Sequence, residues 1–148
     1  MKKTICFDMD GTIADLYGVN DWLPKLRNED ASPYIEAKPL VNLSRLARKL
    51  NILQRTGYKI GVVSWGSKVS SPEYLEAVRE AKKQWLANHL KSVSFDSIIV
   101  CPYGTPKSSV CPFYNEDAIL FDDEERNRSE WGENSFSEKE IFEILGLL

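Results

Sequence analysis

Short apolar runs alternate with longer amphipathic stretches along this chain, and their periods separate expected strands from expected helices. Residues 3–8 carry Thr4, Ile5, Cys6 and Phe7 and stop at acids, which predicts a first strand. A mixed, aromatic-containing segment follows over 15–38. Leu40, Leu43, Leu46, Ala47 and Leu50 then recur on one stripe, which predicts a helix over 39–55 closed by Gly57. Ile60, Val62 and Val63 mark a strand over 58–64. Ser71 as N-cap and Pro72 at the first helical position open a second helix, and Tyr74, Leu75, Val78, Ala81, Trp85 and Leu86 carry it to about residue 90. A third strand is expected over 95–101, a turn-rich stretch over 102–112, and a fourth strand over 118–122 that runs into a polar helix through Trp131. Ser137 and Glu140 form a capping box before Ile141, Phe142, Ile144 and Leu145, so a C-terminal helix starts there.

Strands alternating with helices are the pattern of parallel βαβ units, and the expected class is α/β. At 148 residues the chain is one domain by size, able to bury roughly 68–70% of the surface its unfolded form exposes. No apolar run approaches the ~20 residues of a membrane span, so no membrane partner is expected. The Met-Lys-Lys start leads into a strand and not into a signal-peptide core, and a cytoplasmic location is expected. Cys6, Cys101 and Cys111 are an odd, sparse set that argues against a disulfide framework. With only His89 to join them they make no metal knuckle, and they read as reduced structural cysteines. A net charge of −3 gives no general attraction to nucleic acid, so a long nucleic acid is not an expected partner.

Candidate chemistry sits where the strands end. Side chains alternate along a strand, so Asp8 and Asp10 point the same way if the strand continues, and a turn at Gly11 gathers them at its end. Two converging acids can hold a hard divalent cation; one can also attack phosphorus while the other protonates the leaving oxygen. Taken alone, Asp-x-Asp-Gly also fits an Asp-rich turn or a calcium loop. In open parallel sheets, however, ligands sit beyond the carboxyl ends of the strands, and those ends here carry Asp8 with Asp10, then Ser64, then Asp122 with Asp123.

In chain order, Asp8-x-Asp10-Gly11-Thr12, Ser64 after an apolar strand, Lys107 ahead of the fourth strand and Asp122-Asp123 at its end resemble the four motifs of the haloacid dehalogenase (HAD) superfamily, over nearly the whole chain. The resemblance implies a Rossmann-like three-layer sandwich around a central parallel sheet, and a Mg²⁺-dependent phosphate-monoester hydrolase working through an aspartyl-phosphate. It makes Asp8 the nucleophile and Asp10 the general acid that later activates water. It places Mg²⁺ on an Asp8 oxygen, the Asp10 main-chain carbonyl and an acid of the Asp122-Asp123 pair, without saying which. Ser64 and the backbone N–H groups beside it, at Trp65 and Gly66, are implied to hold the phosphoryl oxygens, and Lys107 to neutralise them, with Lys68 a competitor for that role. An acid at position 10 favours a phosphatase over a dehalogenase. Glu124, Glu125, Arg126 and Arg128 read as a solvated helix face, and Lys82 and Lys83 as helix surface.

Superfamily members choose substrates through cap insertions, and here only residues 15–38 are available, so one domain over 1–148 with a minimal flap is expected. Tyr17, Trp22, Trp65 and Tyr103 lie near strand-end loops, where rings either stack on a nucleobase or simply pack. A weaker resemblance links the chain to the deoxyribonucleotidase and polynucleotide-phosphatase branches. The expected partner is a small phosphorylated metabolite such as a nucleoside monophosphate. The alternatives are macromolecular phosphates, on polynucleotide ends or phosphoproteins, and a silent binding module; oligomeric state stays open.

Overall fold

The first strand, β1 (Thr4–Phe7), is buried on both faces, and its successive side chains serve opposite layers. Ile5 and Phe7 join one core cluster, whereas Cys6 joins another with Val63, Leu120 and Trp131. The protein is described by a computed structural model covering residues 3–148; Met1 and Lys2, the start of the basic tripeptide, lie outside the described residues.

After β1 the chain makes a two-residue strand, β2 (Ala14–Asp15), a 3₁₀ turn (Leu16–Gly18), α1 (Trp22–Arg27) and α2 (Ser32–Glu36), and returns in β3 (Lys38–Pro39). Antiparallel pairing of Ala14 with Pro39 and Asp15 with Lys38 ties the two ends of this excursion together. The next helix, α3 (Leu43–Arg55), begins later than expected: the Asn42 side chain accepts the Arg45 N–H at 3.0 Å and so sets the helix start behind residue 42. Then come β4 (Lys59–Trp65), α4 (Pro72–His89), β5 (Ser97–Cys101), a single-turn α5 (Lys107–Val110), β6 (Ile119–Phe121), α6 (Glu125–Trp131), β7 (Ser135–Phe136) and α7 (Ile141–Gly146). Ser71 caps α4 as expected, accepting the Tyr74 N–H, and the Ser137–Glu140 capping box is formed ahead of α7.

The main sheet runs β5-β4-β1-β6-β7, and every pairing in it is parallel. Core residues of α3 and α7 pack with Ile5 and Phe7, whereas Val110 of α5 and Trp131 of α6 pack with Cys6, giving the expected three-layer α/β sandwich. The edge strand β7 was not expected, being too short to show a period; its register comes from Phe136 O accepting the Asp122 N–H at 3.0 Å. From β1 the chain first builds toward β4 and β5, then returns to place β6 on the other side of β1. That reversal puts a crevice at the carboxyl ends of β1, β4 and β6.

The excursion between β2 and β3 lies against α4. Leu16, Leu26 and Tyr34 pack with Tyr74, Val78 and Ala81, and the Tyr74 hydroxyl donates to Asp30 O at 2.8 Å. Cys6, Cys101 and Cys111 are free and buried. Among the described residues no helix is long and apolar enough to cross a membrane.

Candidate active site

Where β1 ends, the backbone stays attached to β6 through Asp8 N–H donating to Phe121 O at 2.9 Å, and the chain then turns tightly. Met9 O accepts the N–H groups of Thr12, Ile13 and Ala14. Gly11 sits at φ +82°, and a Cβ there would lie 2.3 Å from Asp123 Oδ2. Both the backbone angle and the close carboxylate therefore require glycine. Gly11→Ala is expected to lower stability by about 2–4 kcal/mol, the sum of left-handed strain and overpacking, read as a shifted denaturant midpoint. The neighbouring Thr12, wholly buried, donates its hydroxyl to Asp8 Oδ2 at 2.9 Å and accepts the Asp123 N–H at 3.2 Å.

Two buried lysines divide the acids between them. Lys107, on α5, lies 2.8 Å from Asp8 Oδ1 and 2.6 Å from Asp122 Oδ2, whereas Lys68 is exposed at the cavity wall and pairs with no acid among the described residues. Lys82 overturns the reading of that residue as helix surface. It is 0% exposed, and its Nζ lies 2.9 Å from Asp10 Oδ2, 2.6 Å from Ser64 Oγ and 2.8 Å from Trp65 O. The sequence held a signal: Lys82 stands four residues after Val78 and four before Leu86, inside the apolar stripe of α4. Lys83, one residue on, is exposed as expected. Arg128 also departs from a solvated face, because its guanidinium donates to Asp122 O at 2.8 Å. Asn127, which carried no motif, is buried and donates to Asp122 Oδ2 at 3.1 Å.

These partners push the carboxylates apart electrostatically. Burial raises the Asp8 carboxyl, but Lys107 and the hydrogen bonds to it outweigh burial and hold Asp8 below its ordinary range. Burial raises Asp10, Lys82 only partly offsets it, and the charge of Asp8 adds to the rise. Burial and then Asp8 push Asp122 up to about 6 and Asp123 up to about 8.

Oxygens of Asp8, Asp122 and Asp123 all lie within 4.8 Å of one another, a hard donor set whose mutual repulsion a divalent cation relieves. The Asp122 carboxylate already accepts from Lys107, Asn127 and the Glu124 N–H, at 2.6, 3.1 and 3.0 Å. Asp123 is less committed, its Oδ1 standing 3.3 Å from the Thr12 hydroxyl, and it lines the cavity. The Asp10 carboxylate is outside this group, turned to Lys82.

A cavity of about 730 Å³ opens over these groups, lined by Asp8, Asp10, Ser64, Lys107 and Asp123 and walled by aromatics. Tyr17 meets Trp22 edge-on at 5.0 Å, and Trp65 meets Tyr103 at 4.8 Å. The Trp65 indole N–H donates to Thr105 O at 2.7 Å, and Arg126 stands 5.5 Å from its ring centre. Gly66 lines the cavity, but its N–H donates to Cys101 O at 2.8 Å, so the donor expected for a phosphoryl oxygen is taken by the sheet.

Neither a family model nor a curated protein matches the chain in sequence. Among solved structures it is similar to a chain of the Pnkp1/Rnl/Hen1 complex, with a TM-score of 0.58 and 21% identity over 92% of this chain. The match spans only 45% of that longer chain. It is also similar to D,D-heptose 1,7-bisphosphate phosphatase from Burkholderia thailandensis, with a TM-score of 0.56 and 13% identity over 92% of this chain and 91% of that one. The chain shares the fold of these two structures, and its Asp8, Asp10, Ser64, Lys107 and Asp123 are gathered at the carboxyl end of one parallel sheet.

Proposed function

We propose that this protein is a Mg²⁺-dependent phosphatase that hydrolyses small phosphate monoesters through an aspartyl-phosphate on Asp8. The observation that carries this reading is the division of labour between two neighbouring aspartates in one cavity: Asp8 is held low beside Lys107, and Asp10 is raised beside Lys82. Carboxyls pushed in opposite directions are the pattern of a nucleophile paired with an acid. Asp8 Oδ attacks phosphorus, the bond from phosphorus to the ester oxygen breaks, and Asp10 gives that oxygen its proton. Asp10 then takes a proton from the water that attacks the aspartyl-phosphate, releasing inorganic phosphate and free Asp8. Lys107 and the Ser64 hydroxyl bind the phosphoryl oxygens. Asp122, enclosed under Lys107 and Asn127, holds that lysine in place. Asp8, Asp123 and the Asp10 carbonyl would hold Mg²⁺, which would supply the charge that screens the nucleophile from the phosphate dianion.

Among small esters a nucleoside monophosphate fits best, because the cavity falls within the roughly 300–1,000 Å³ range of small-ligand sites and carries two aromatic pairs. Residues 15–38 act as the minimal cap of a one-domain enzyme, presenting Tyr17 and Trp22 to the base. Three buried free thiols fit a reducing, cytoplasmic setting. The phosphatase named among the structural neighbours supports the reaction class. The test is a panel of aryl phosphate, nucleoside monophosphates, sugar phosphates, oligonucleotides phosphorylated at either end and a phosphopeptide, each with Mg²⁺ and with chelator. Hydrolysis of the mononucleotides only with Mg²⁺ is expected. Preference for oligonucleotide ends or phosphopeptide moves the substrate to a macromolecule, and no hydrolysis of any ester leaves a binding module.

Three further outcomes are expected. Mg²⁺ at about a hundred times its Kd stabilises the folded protein by about 2.7 kcal/mol, seen as a raised Tm, and Asp123→Asn loses most of that rise. Trp22→Ala lowers kcat/KM for a nucleoside monophosphate by roughly ten- to a hundredfold, the scale of one stacking contact, while an aryl phosphate loses little. Trp65→Ala is expected to impair both substrates, since its ring is bound into packing with Tyr103, Thr105 and Arg126.

A further inference from the structure

We propose that Lys82 is a positioning residue that aims the Ser64 hydroxyl hydrogen at the transferring phosphoryl group, an inference that rests on the phosphatase reading above. An ammonium has three hydrogens and no acceptor capacity. Lys82 Nζ has three acceptors around it, Asp10 Oδ2 at 2.9 Å, Ser64 Oγ at 2.6 Å and Trp65 O at 2.8 Å. Every hydrogen has a fixed partner, so the ammonium cannot turn without losing a bond. Its stem is held as firmly, with Val78 and Leu86 buried one turn away on either side and the Tyr34 ring centre 5.0 Å from Nζ.

The consequence falls on Ser64. Its oxygen already receives a hydrogen from Lys82, so its own hydrogen must point away from Nζ. Among the described residues no acceptor takes that hydrogen, although Ser64 is only 1% exposed. Ser64 lines the cavity beside Asp8 and Lys107, which leaves the hydrogen to an oxygen of the ligand. The positive charge at 2.6 Å also polarises the O–H and strengthens it as a donor. Lys82 itself is fully enclosed and is not among the cavity-lining residues, so it reaches the substrate only through Ser64 and Asp10. Without the ammonium the hydroxyl rotor loses its fixed direction, and the Asp10 carboxylate and Trp65 carbonyl lose a shared donor.

Calorimetric titration with inorganic phosphate in Mg²⁺ buffer tests the assignment, since phosphate has no leaving group and proton transfer by Asp10 does not enter. Wild type, Lys82→Met, Ser64→Ala and the double variant are compared, each with its melting temperature. Each single substitution is expected to weaken phosphate binding by roughly tenfold or more, the scale of a hydrogen bond made to a charged group. The double variant should lose no more than the worse single one, because both remove the same bond. Lys82→Met binding phosphate as wild type does, or losses that multiply in the double variant, overturn the proposal; multiplied losses are what a merely structural lysine gives. If Lys82→Met does not fold, Lys82→Gln, a neutral donor on a shorter stem, carries the same comparison with Ser64→Ala and an intermediate loss. No phosphate binding by the wild type overturns the phosphatase reading and this inference with it, whereas normal wild-type binding with an unaffected Lys82 variant overturns this inference alone.

Discussion

Asp8→Asn is expected to leave the protein folded and to remove phosphate-ester hydrolysis, a loss on the order of 10⁴–10⁶-fold, as when a nucleophile that works with its partners as a unit is deleted. The amide matches the carboxylate in shape and keeps one acceptor for Lys107, while Asp122 remains as that lysine's second partner at 2.6 Å. Lys107 is therefore not stranded as an unpaired buried charge, the situation that makes breaking buried ion pairs costly. What is lost is the anionic oxygen that bonds to phosphorus. An amide oxygen is a poor nucleophile, and neither Asp10 nor Asp123 stands between Lys107 and Thr12 as Asp8 does. Steady-state hydrolysis of an aryl phosphate with Mg²⁺, alongside a thermal melt, checks both halves of the expectation. A folded variant that retains more than about a hundredth of the wild-type rate removes Asp8 as the nucleophile, because general acid–base and binding contributions alone account for smaller effects.

The placement of these groups was legible because it depends on strand ends. Ile60, Val62 and Val63 announce β4, Ser64 follows them, and a parallel sheet brings the ends of β1, β4 and β6 together whatever the loops do. Loop and helix detail was less legible. The choice between Asp122 and Asp123 depends on which of two adjacent side chains turns inward, and that is set by Asn127 and by the Glu124 N–H, neither of which a strand period reveals. Leu40 continues the apolar stripe and so draws the expected start of α3 too early, yet Leu40 is 45% exposed and Asn42 caps the helix. Lys82 reads as surface in the sequence because lysine is almost never fully buried unless paired. Its partners are contributed by the loop after β1 and by the end of β4, remote in sequence from α4. The position inside the stripe is visible in the sequence; the carboxylate, hydroxyl and carbonyl that complete it are not.

Asp10→Asn is expected to slow turnover by roughly 10²–10⁴-fold, the scale of removing a general acid–base group, and to do so in a way that depends on the leaving group. The asparagine oxygen can still accept from Lys82 across the present 2.9 Å, so the tie among α4, Ser64 and the loop after β1 is kept. The proton is not. A nucleoside leaving as an alkoxide needs that proton as its bond to phosphorus breaks, and formation of the phosphoenzyme from a mononucleotide should fall steeply. Nitrophenolate is stable as an anion and leaves nearly as well without help. Its second step differs, because water attacking the aspartyl-phosphate still requires a base whichever ester supplied the phosphoryl group. Rapid mixing of the Asp10→Asn variant with an aryl phosphate should therefore show a burst of nitrophenolate close to one per active site, followed by slow steady turnover. The mononucleotide should show no burst. Equal losses on the two esters, with no burst on either, would mean that Asp10 contributes through its contact with Lys82 and the shape of the turn, and the proton would have to be carried by another group in the cavity.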